Sequence, residues 1–490
     1  MLRKKWSWVT TLLLLWIINF CATESLLAGE LNIGAVSIDM TPPLPVSLDG
    51  QMRLRVAEEA QTPLTVSVIA LENKDGNKSE ISVWVTLELV SISDHLRDMI
   101  RAKIETAIPD INPRKIVINA THTHTGPATR IGNFILPDGV HSVEDNLDFI
   151  TARVVEGVLK AWNSRKPGSV SWGLGQAKVA VNRRAVYYDG SAKMYGKTNL
   201  PEFRGLEGYE DHDLNVLFFW DENEQLIATC INVSCPAQEV EGRSAINADF
   251  WYPVREQLRE RFGEELVVLG WIGAAGDQSP HLMYGRVGEE RMRELRGLTR
   301  LEELARRIVV SVEDVCDVVQ TDKHLDIKLI HEMMTLKLPK RLVTVDALNE
   351  AKSAIEEIES DTERRITNYR RIKWHQAIID RYEQQQLNPD QTYDVEIHLI
   401  RLGEVVICTN PFELFTEYGI RMKARSPAVQ TFVVQLVGGG TYLPTMEAVR
   451  GGHYSAIIQS NQVGPEGGDI LVEETVRGID EIWNTATTEQ

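Results

Sequence analysis

Apolar and polar positions along the chain follow two periods. Runs rich in apolar and β-branched residues, alternating with polar ones as at 395–399 or almost wholly apolar as at 266–272, predict strands at 31–38, 65–71, 80–90, 115–118, 170–174, 177–181, 215–220, 226–233, 266–272, 395–399, 405–408 and 432–437. Apolar residues at helical spacing predict helices at 94–108, 148–160 and 301–312. Another helix is expected to open at Asn247-Ala248-Asp249, with Asp249 as N-cap, Pro253 in its first turn and Gly263 as its stop. The charged, Gly- and Pro-free segment 346–385 predicts two helices broken near Ser360-Asp361, with most of its charges on a solvated face. Strands and helices alternate throughout, and no internal repeat is visible. The expected fold class is therefore α/β, with mixed β-sheets and surrounding helices.

Several predicted strands stop abruptly in loops of small, polar and Pro residues, at His122, Cys235, Ser279, Glu413 and Tyr442. Ligand sites in open α/β sheets lie beyond the carboxyl ends of strands, so these loops are expected to converge on one pocket. The most informative loop is Thr121-His122-Thr123-His124-Thr125-Gly126-Pro127. Imidazole is both a common metal ligand and the usual proton shuttle near neutral pH, so one histidine can bind a metal while the other moves a proton. His122, Glu413 and Tyr442 could supply zinc ligands from separate strand ends. Ser279, in Gly276-Asp277-Gln278-Ser279-Pro280, sits in a small-residue turn that leaves its hydroxyl accessible to act as a nucleophile. His124 then serves as acid–base group, and Arg183 or Tyr454 stabilises an oxyanion. Taken singly, each has a plainer role: Ser279 as a turn residue, Asp277 or Glu413 as a cap, Tyr442 as packing, Arg183 as a surface charge.

Composition narrows the partners. A net charge of −18 argues against nucleic acid or an anionic bilayer as the main partner, so membrane contact is peripheral at most. Residues 1–28 carry a basic start (Arg3, Lys4, Lys5) and a short apolar run, the pattern of an export signal; an uncleaved anchor is the alternative. The expected location is periplasmic or extracellular, and residues 29–490 are read as one large catalytic domain. Cys230, Cys235, Cys316 and Cys408 are too few for a disulfide scaffold. Nothing in the sequence sets the oligomeric state.

Together the motifs resemble those of the neutral/alkaline (non-lysosomal) ceramidase family, secreted zinc amidases that cleave the amide of N-acyl-sphingosine. Thr121 to Pro127 resembles the family's H-T-H-[ST]-G-P, Gly276 to Pro280 its G-D-x-S-P, Asn182-Arg183 its N-R, and Pro411-Phe412-Glu413 its P-G-E. Tyr442 and Tyr454 match the spacing of two family tyrosines, and the likeness runs from about residue 31 to 470. The resemblance implies Zn2+ held by His122, Glu413, Tyr442 and a second histidine. It implies Ser279 as nucleophile, with His124, Arg183 and Tyr454 assisting at the carbonyl; Asp277 is counted with this catalytic group. The chain departs from the pattern in two ways. Cys235 stands where the second zinc histidine is expected, and the extra C-terminal β-sandwich domain is not seen. Cys235 is taken as a thiolate ligand, with His281, His453 or a three-ligand site as alternatives. The expected activity is zinc-dependent hydrolysis of ceramide or a related N-acylated lipid. The alternatives are the same scaffold acting on a small N-acyl or ester substrate, and a non-catalytic lipid- or glycan-binding relative.

Overall fold

The computed structural model describes residues 29–76 and 78–484, so the predicted export signal lies outside the described residues. The strand Gly29–Asp39 pairs antiparallel with Thr65–Asp75 along its whole length, and Thr65–Asp75 turns back into Lys78–Leu87. Among the described residues these strands sit within one large sheet. Its order is Val267–Ile272, Leu226–Val233, Asp213–Asp221, Lys166–Gln176, Gly29–Asp39, Thr65–Asp75, Lys78–Leu87, Ile116–Ala120. The two outermost pairs, 226–233 with 267–272 and 78–87 with 116–120, are parallel, and the pairs between them are antiparallel. A second sheet runs Leu329–Pro339, Thr392–Leu402, Val405–Thr409, Gln430–Val434, with its last pair parallel.

The two sheets pack face to face. Ile33, Ile69, Trp84, Phe219 and Trp271 of the first meet Ile400, Leu402, Ile407 and Phe432 of the second in one buried cluster. Trp84 contacts Phe219 and Trp271 edge-on, and Trp271 meets Phe432 at 90° across the sheet boundary. Each such buried side chain contributes about 1.5–3 kcal/mol relative to exposure. Helices close both outer faces. Asp94–Ala107 and Val143–Asn163 cover one half of the large sheet, and Trp251–Phe262 with Arg300–Val319 cover the other. Thr416–Arg425 and Pro465–Asn484 cover the second sheet. The mixed-sheet α/β expectation holds, and one large domain is formed.

Several boundaries differ from expectation for physical reasons. Ala177, Val179 and Ala180 are apolar because they pack under Arg300–Val319, not because they pair; only Val181–Asn182 forms a strand, against Gln278–Ser279. The expected helix at 247 opens at Trp251, and Asp249 is not its cap. Asp249 instead has φ +55 and accepts from the N–H groups of Val240 and Phe250. The charged segment forms three helices, Val345–Glu359, Thr362–Thr367 and Tyr369–Leu387, with a second break at Asn368. Arg370 in the last of them donates to Asp49 Oδ1 (2.5 Å) and to the Gln51 carbonyl (2.9 Å), which pins the segment to the loop beside His124. All four cysteines in the described residues are buried and free. No helix there is long and apolar enough to cross a membrane.

Candidate active site

The strand-end loops are stitched to one another by backbone hydrogen bonds. Ala237 N–H donates to Thr121 O, Arg183 N–H to Asp277 O, and Gly276 N–H to Leu414 O, while Glu413 pairs with Tyr442. Gln435 Oε1 accepts from both Ala275 and Leu414 N–H, which ties the loop after 267–272 to the loop after 405–409. Gly276 has no room for a side chain: a Cβ there would lie 2.4 Å from the Glu413 carbonyl oxygen.

His122 leaves its strand with φ +63, unusual for a residue with a side chain. Its Nδ1 lies 2.6 Å from the Val90 carbonyl. A carbonyl only accepts, so Nδ1 carries the hydrogen and Nε2 presents a lone pair. That lone pair faces Glu413 Oε2 at 3.6 Å and His124 Nε2 at 3.1 Å. If His124 Nε2–H fills the gap, its Nδ1 is left as a bare acceptor 3.4 Å from Glu241 Oε2, and this buried atom has no hydrogen-bond partner. A cation between His122 and Glu413 would remove the conflict, because His124 could then donate from Nδ1 to Glu241. Tyr442 adds a third donor. It hydrogen-bonds Glu413, receives Arg183 Nη2 at 3.4 Å, and burial pushes its phenol well above the ordinary value. His122, Glu413 and Tyr442 are thus the residues that could hold a metal. Among the described residues no group of three or more His, Cys, Asp or Glu side chains is arranged to do so, and the third donor here is a tyrosine.

Cys235 does not join them. Its thiol donates to the Val179 and Pro236 carbonyls at 3.6 and 3.7 Å inside an apolar cluster, and burial pushes its pKa well up, away from thiolate. His281 lies between Glu239 (3.7 Å) and Glu241 (3.5 Å), and His453 Nδ1 accepts from Met194 N–H, so the structure engages both with other partners and does not bring them to His122 and Glu413. Asp277 does not face the reacting groups. It accepts from Thr416 N–H, Thr416 Oγ1 and Asn182 Nδ2, and so clamps the Ser279 loop to a helix start.

Arg183 stands at the centre. It donates to Tyr195 OH (2.8 Å), Gly276 O (2.8 Å) and Tyr442 OH, and lies 4.0 Å from Glu413. Burial disfavours its charge, but Tyr195, Tyr442, Tyr454 and Glu413 outweigh that and hold it ionised. Tyr454 packs edge-on against Tyr442 with ring centres 6.3 Å apart, and burial raises its phenol. Ser279 is fully buried, with Tyr195 OH at 3.2 Å and Gln238 Nε2 at 3.4 Å. Buried Arg55 donates to the carbonyls of Asp49, His124 and Glu241 and so holds the His124 loop against the 238–241 loop. Tyr195, Gln238, Glu241 and Arg55 were not singled out from sequence. A signal for Gln238 and Glu241 existed in their closeness to Cys235-Pro236 in one strand-end loop; none marked Tyr195 or Arg55. A cavity of about 1050 Å³ is lined by Glu239, His281, Leu282, Arg286, Val287 and Arg300 among others, residues that follow Gln238 and Ser279 in the chain; Ser279, Arg183, Glu413, Tyr442, His122 and His124 do not line it.

No family model matches the chain, and no curated protein matches it in sequence. Solved structures share its fold, and they are ceramidases. Neutral ceramidase from Pseudomonas aeruginosa superposes with a TM-score of 0.67 at 14% identity, over 91% of this chain and 74% of that one. A ceramidase complexed with C2 gives 0.65 at 14% identity, with the same coverage. The chain has the mixed α/β fold of these neutral ceramidases.

Proposed function

We propose that this chain is a metal-dependent amide hydrolase that cleaves the N-acyl bond of ceramide or a related N-acylated lipid. One observation carries the reading: Ser279, Tyr195, Arg183, Tyr442, Glu413 and the His122–His124 pair form one chain of contacts at the strand-end loops, on a ceramidase-type fold. A zinc ion held by His122, Glu413 and Tyr442 would supply Lewis-acid polarisation of the amide carbonyl. Ser279 Oγ forms a bond to the carbonyl carbon and gives up its proton, the base being assigned to His124 once substrate bridges the two. Arg183 and the Tyr454 hydroxyl hold the oxygen that gains charge. The C–N bond then breaks, and His124 returns the proton to the leaving amine. Water next attacks the acyl-serine. Its oxygen bonds to carbon, the Oγ–C bond breaks, and one of its protons restores the Ser279 hydroxyl. The balance is amide plus water to carboxylic acid plus amine.

The charged wall of the cavity (Glu239, Arg286, Arg300) favours a second reading, that the acyl amine is smaller or more polar than ceramide. A panel of N-acylsphingosines and short N-acyl amines, assayed with metal analysis of the purified protein, tests both. Stoichiometric zinc, loss of turnover in chelator and a fall in kcat of about 10²–10⁴ in Ser279→Ala with zinc retained are expected. Active protein without a transition metal, or full kcat in Ser279→Ala, overturns the mechanism. Preference for short N-acyl amines selects the second substrate class.

A further inference from the structure

Ser279 Oγ is met by hydrogen-bond donors from three directions. Tyr195 O–H lies at 3.2 Å, the His281 backbone N–H at 3.2 Å and Gln238 Nε2–H at 3.4 Å. Tyr195 is placed to donate to Ser279, because Arg183 Nη1 (2.8 Å) and Gln238 Nε2 (2.5 Å) reach its oxygen, in the amide orientation that leaves Gln238 Oε1 without a partner. A neutral hydroxyl needs an acceptor for its hydrogen, yet each described partner of this fully buried oxygen is a donor. Such an arrangement suits an oxygen that has lost its hydrogen.

The supporting backbone is built to hold these groups. Tyr195 has φ +53, a left-handed conformation costly for an aromatic residue, and its N–H is anchored on the Arg183 carbonyl at 2.7 Å. Gln238 is 1% exposed, and the loop that carries it is held by Asp249, which accepts from Val240 N–H.

We propose that Tyr195, Gln238 and the His281 N–H form a cradle for the Ser279 alkoxide, and that the Tyr195 and Gln238 side chains are catalytic residues. The inference rests on the reading of Ser279 as nucleophile. The cradle acts twice: when Oγ gives up its proton on attack, and when the Oγ–C bond breaks and Oγ leaves the acyl group.

The experiment uses the purified full chain and a fluorophosphonate. Ser279 Oγ bonds to phosphorus, the P–F bond breaks, fluoride leaves and the serine proton passes to solvent. The second-order rate of labelling at Ser279 is followed by peptide mass spectrometry, beside kcat and KM on N-acyl substrate and thermal midpoints. Tyr195→Phe keeps the ring and removes one donor; labelling and kcat are expected to fall together by about tenfold or more with KM little changed. Gln238→Glu keeps the shape but replaces a donor with an acceptor, and its loss is expected to exceed that of Gln238→Ala. Labelling within twofold of the parent in Tyr195→Phe and Gln238→Glu overturns the cradle. If Gln238→Glu does not fold, Tyr195→Phe carries the test alone. A parent enzyme that turns over substrate but is not labelled at Ser279 overturns the nucleophile reading first, and the cradle with it.

Discussion

Cys235 and Gln238 illustrate how three residues of one loop decide a site. Two three-residue turns follow each other there, with Cys235 N–H on Val233 O and Gln238 N–H on Pro236 O. The thiol lies against Val179, while the amide three residues on meets Ser279. Residue type, strand-end position and the family-like motifs picked out His122, His124, Ser279, Arg183, Glu413 and Tyr442 as candidates, and the structure brings their loops together. The direction of a side chain after consecutive tight turns was not, since it depends on φ and ψ at every step. The same holds for Tyr195, whose position rests on a left-handed residue that no pattern marks. The expectation for Cys235 changes accordingly. Cys235→Ser is expected to leave zinc content and kcat within about twofold and to lower stability by about 1–3 kcal/mol, because a hydroxyl replaces a thiol in apolar surroundings. A tenfold loss of zinc affinity in that variant would restore the thiolate ligand.

At the scale of elements, long periodic strands and helices were readable, and the exceptions have causes. Pro465–Asn484 begins Pro-Glu-Gly-Gly, a poor helix signal; those glycines are there because a Cβ would strike Val463 at Gly467 and the Tyr418 ring at Gly468. The strand Leu329–Pro339 was missed although it binds the two sheets through a buried polar chain. Trp84 Nε1 donates to Ser82 (2.7 Å), Ser82 to His331 Nδ1 (2.9 Å), His331 Nε2 to His398 Nδ1 (2.9 Å) and His398 Nε2 to Glu396 (2.9 Å), with Arg101 on the same carboxylate. Every link is satisfied with both imidazoles neutral, and an added proton would put two hydrogens into one gap. Burial lowers the pKa of both histidines, while Arg101 and His398 overcome burial and hold Glu396 low. Depressed folded pKa values mean that the unfolded chain binds more protons, so stability is present above the unfolded histidine value, about 6.5, and is lost on acidification below it. Glu396 adds to the loss only below its own unfolded value, about 4.3. The thermal midpoint is expected to fall from pH 7 to pH 5, and the slope is expected to flatten in His331→Asn despite a lower midpoint at pH 7. An unchanged slope in that variant would assign the acid sensitivity elsewhere.

At the scale of the molecule, the proposed catalytic groups are divided between the sheets. His122 and Ser279 follow strands of the large sheet, while Glu413 and Tyr442 follow strands of the second. Neither half holds a complete donor set for a cation. The apolar contact that joins them, Trp271 against Phe432, lies directly beneath the loops they share. Refolding from denaturant should therefore show Trp fluorescence and zinc-dependent turnover recovering in one kinetic phase, the phase that docks the sheets. Turnover that recovers ahead of the fluorescence would break the link.

On the proposed function, that division also makes the chain its own latch. A chain in which only the large sheet has formed lacks Glu413 and Tyr442, and lacks Leu414 and Thr416, which clamp the Ser279 loop, so it would carry neither a positioned nucleophile nor the electrophilic assistance that arms it. Latency of this kind is usually supplied by a removable pro-segment. Here it follows from connectivity alone, because the residues that complete the site lie more than a hundred positions after Ser279 in the chain.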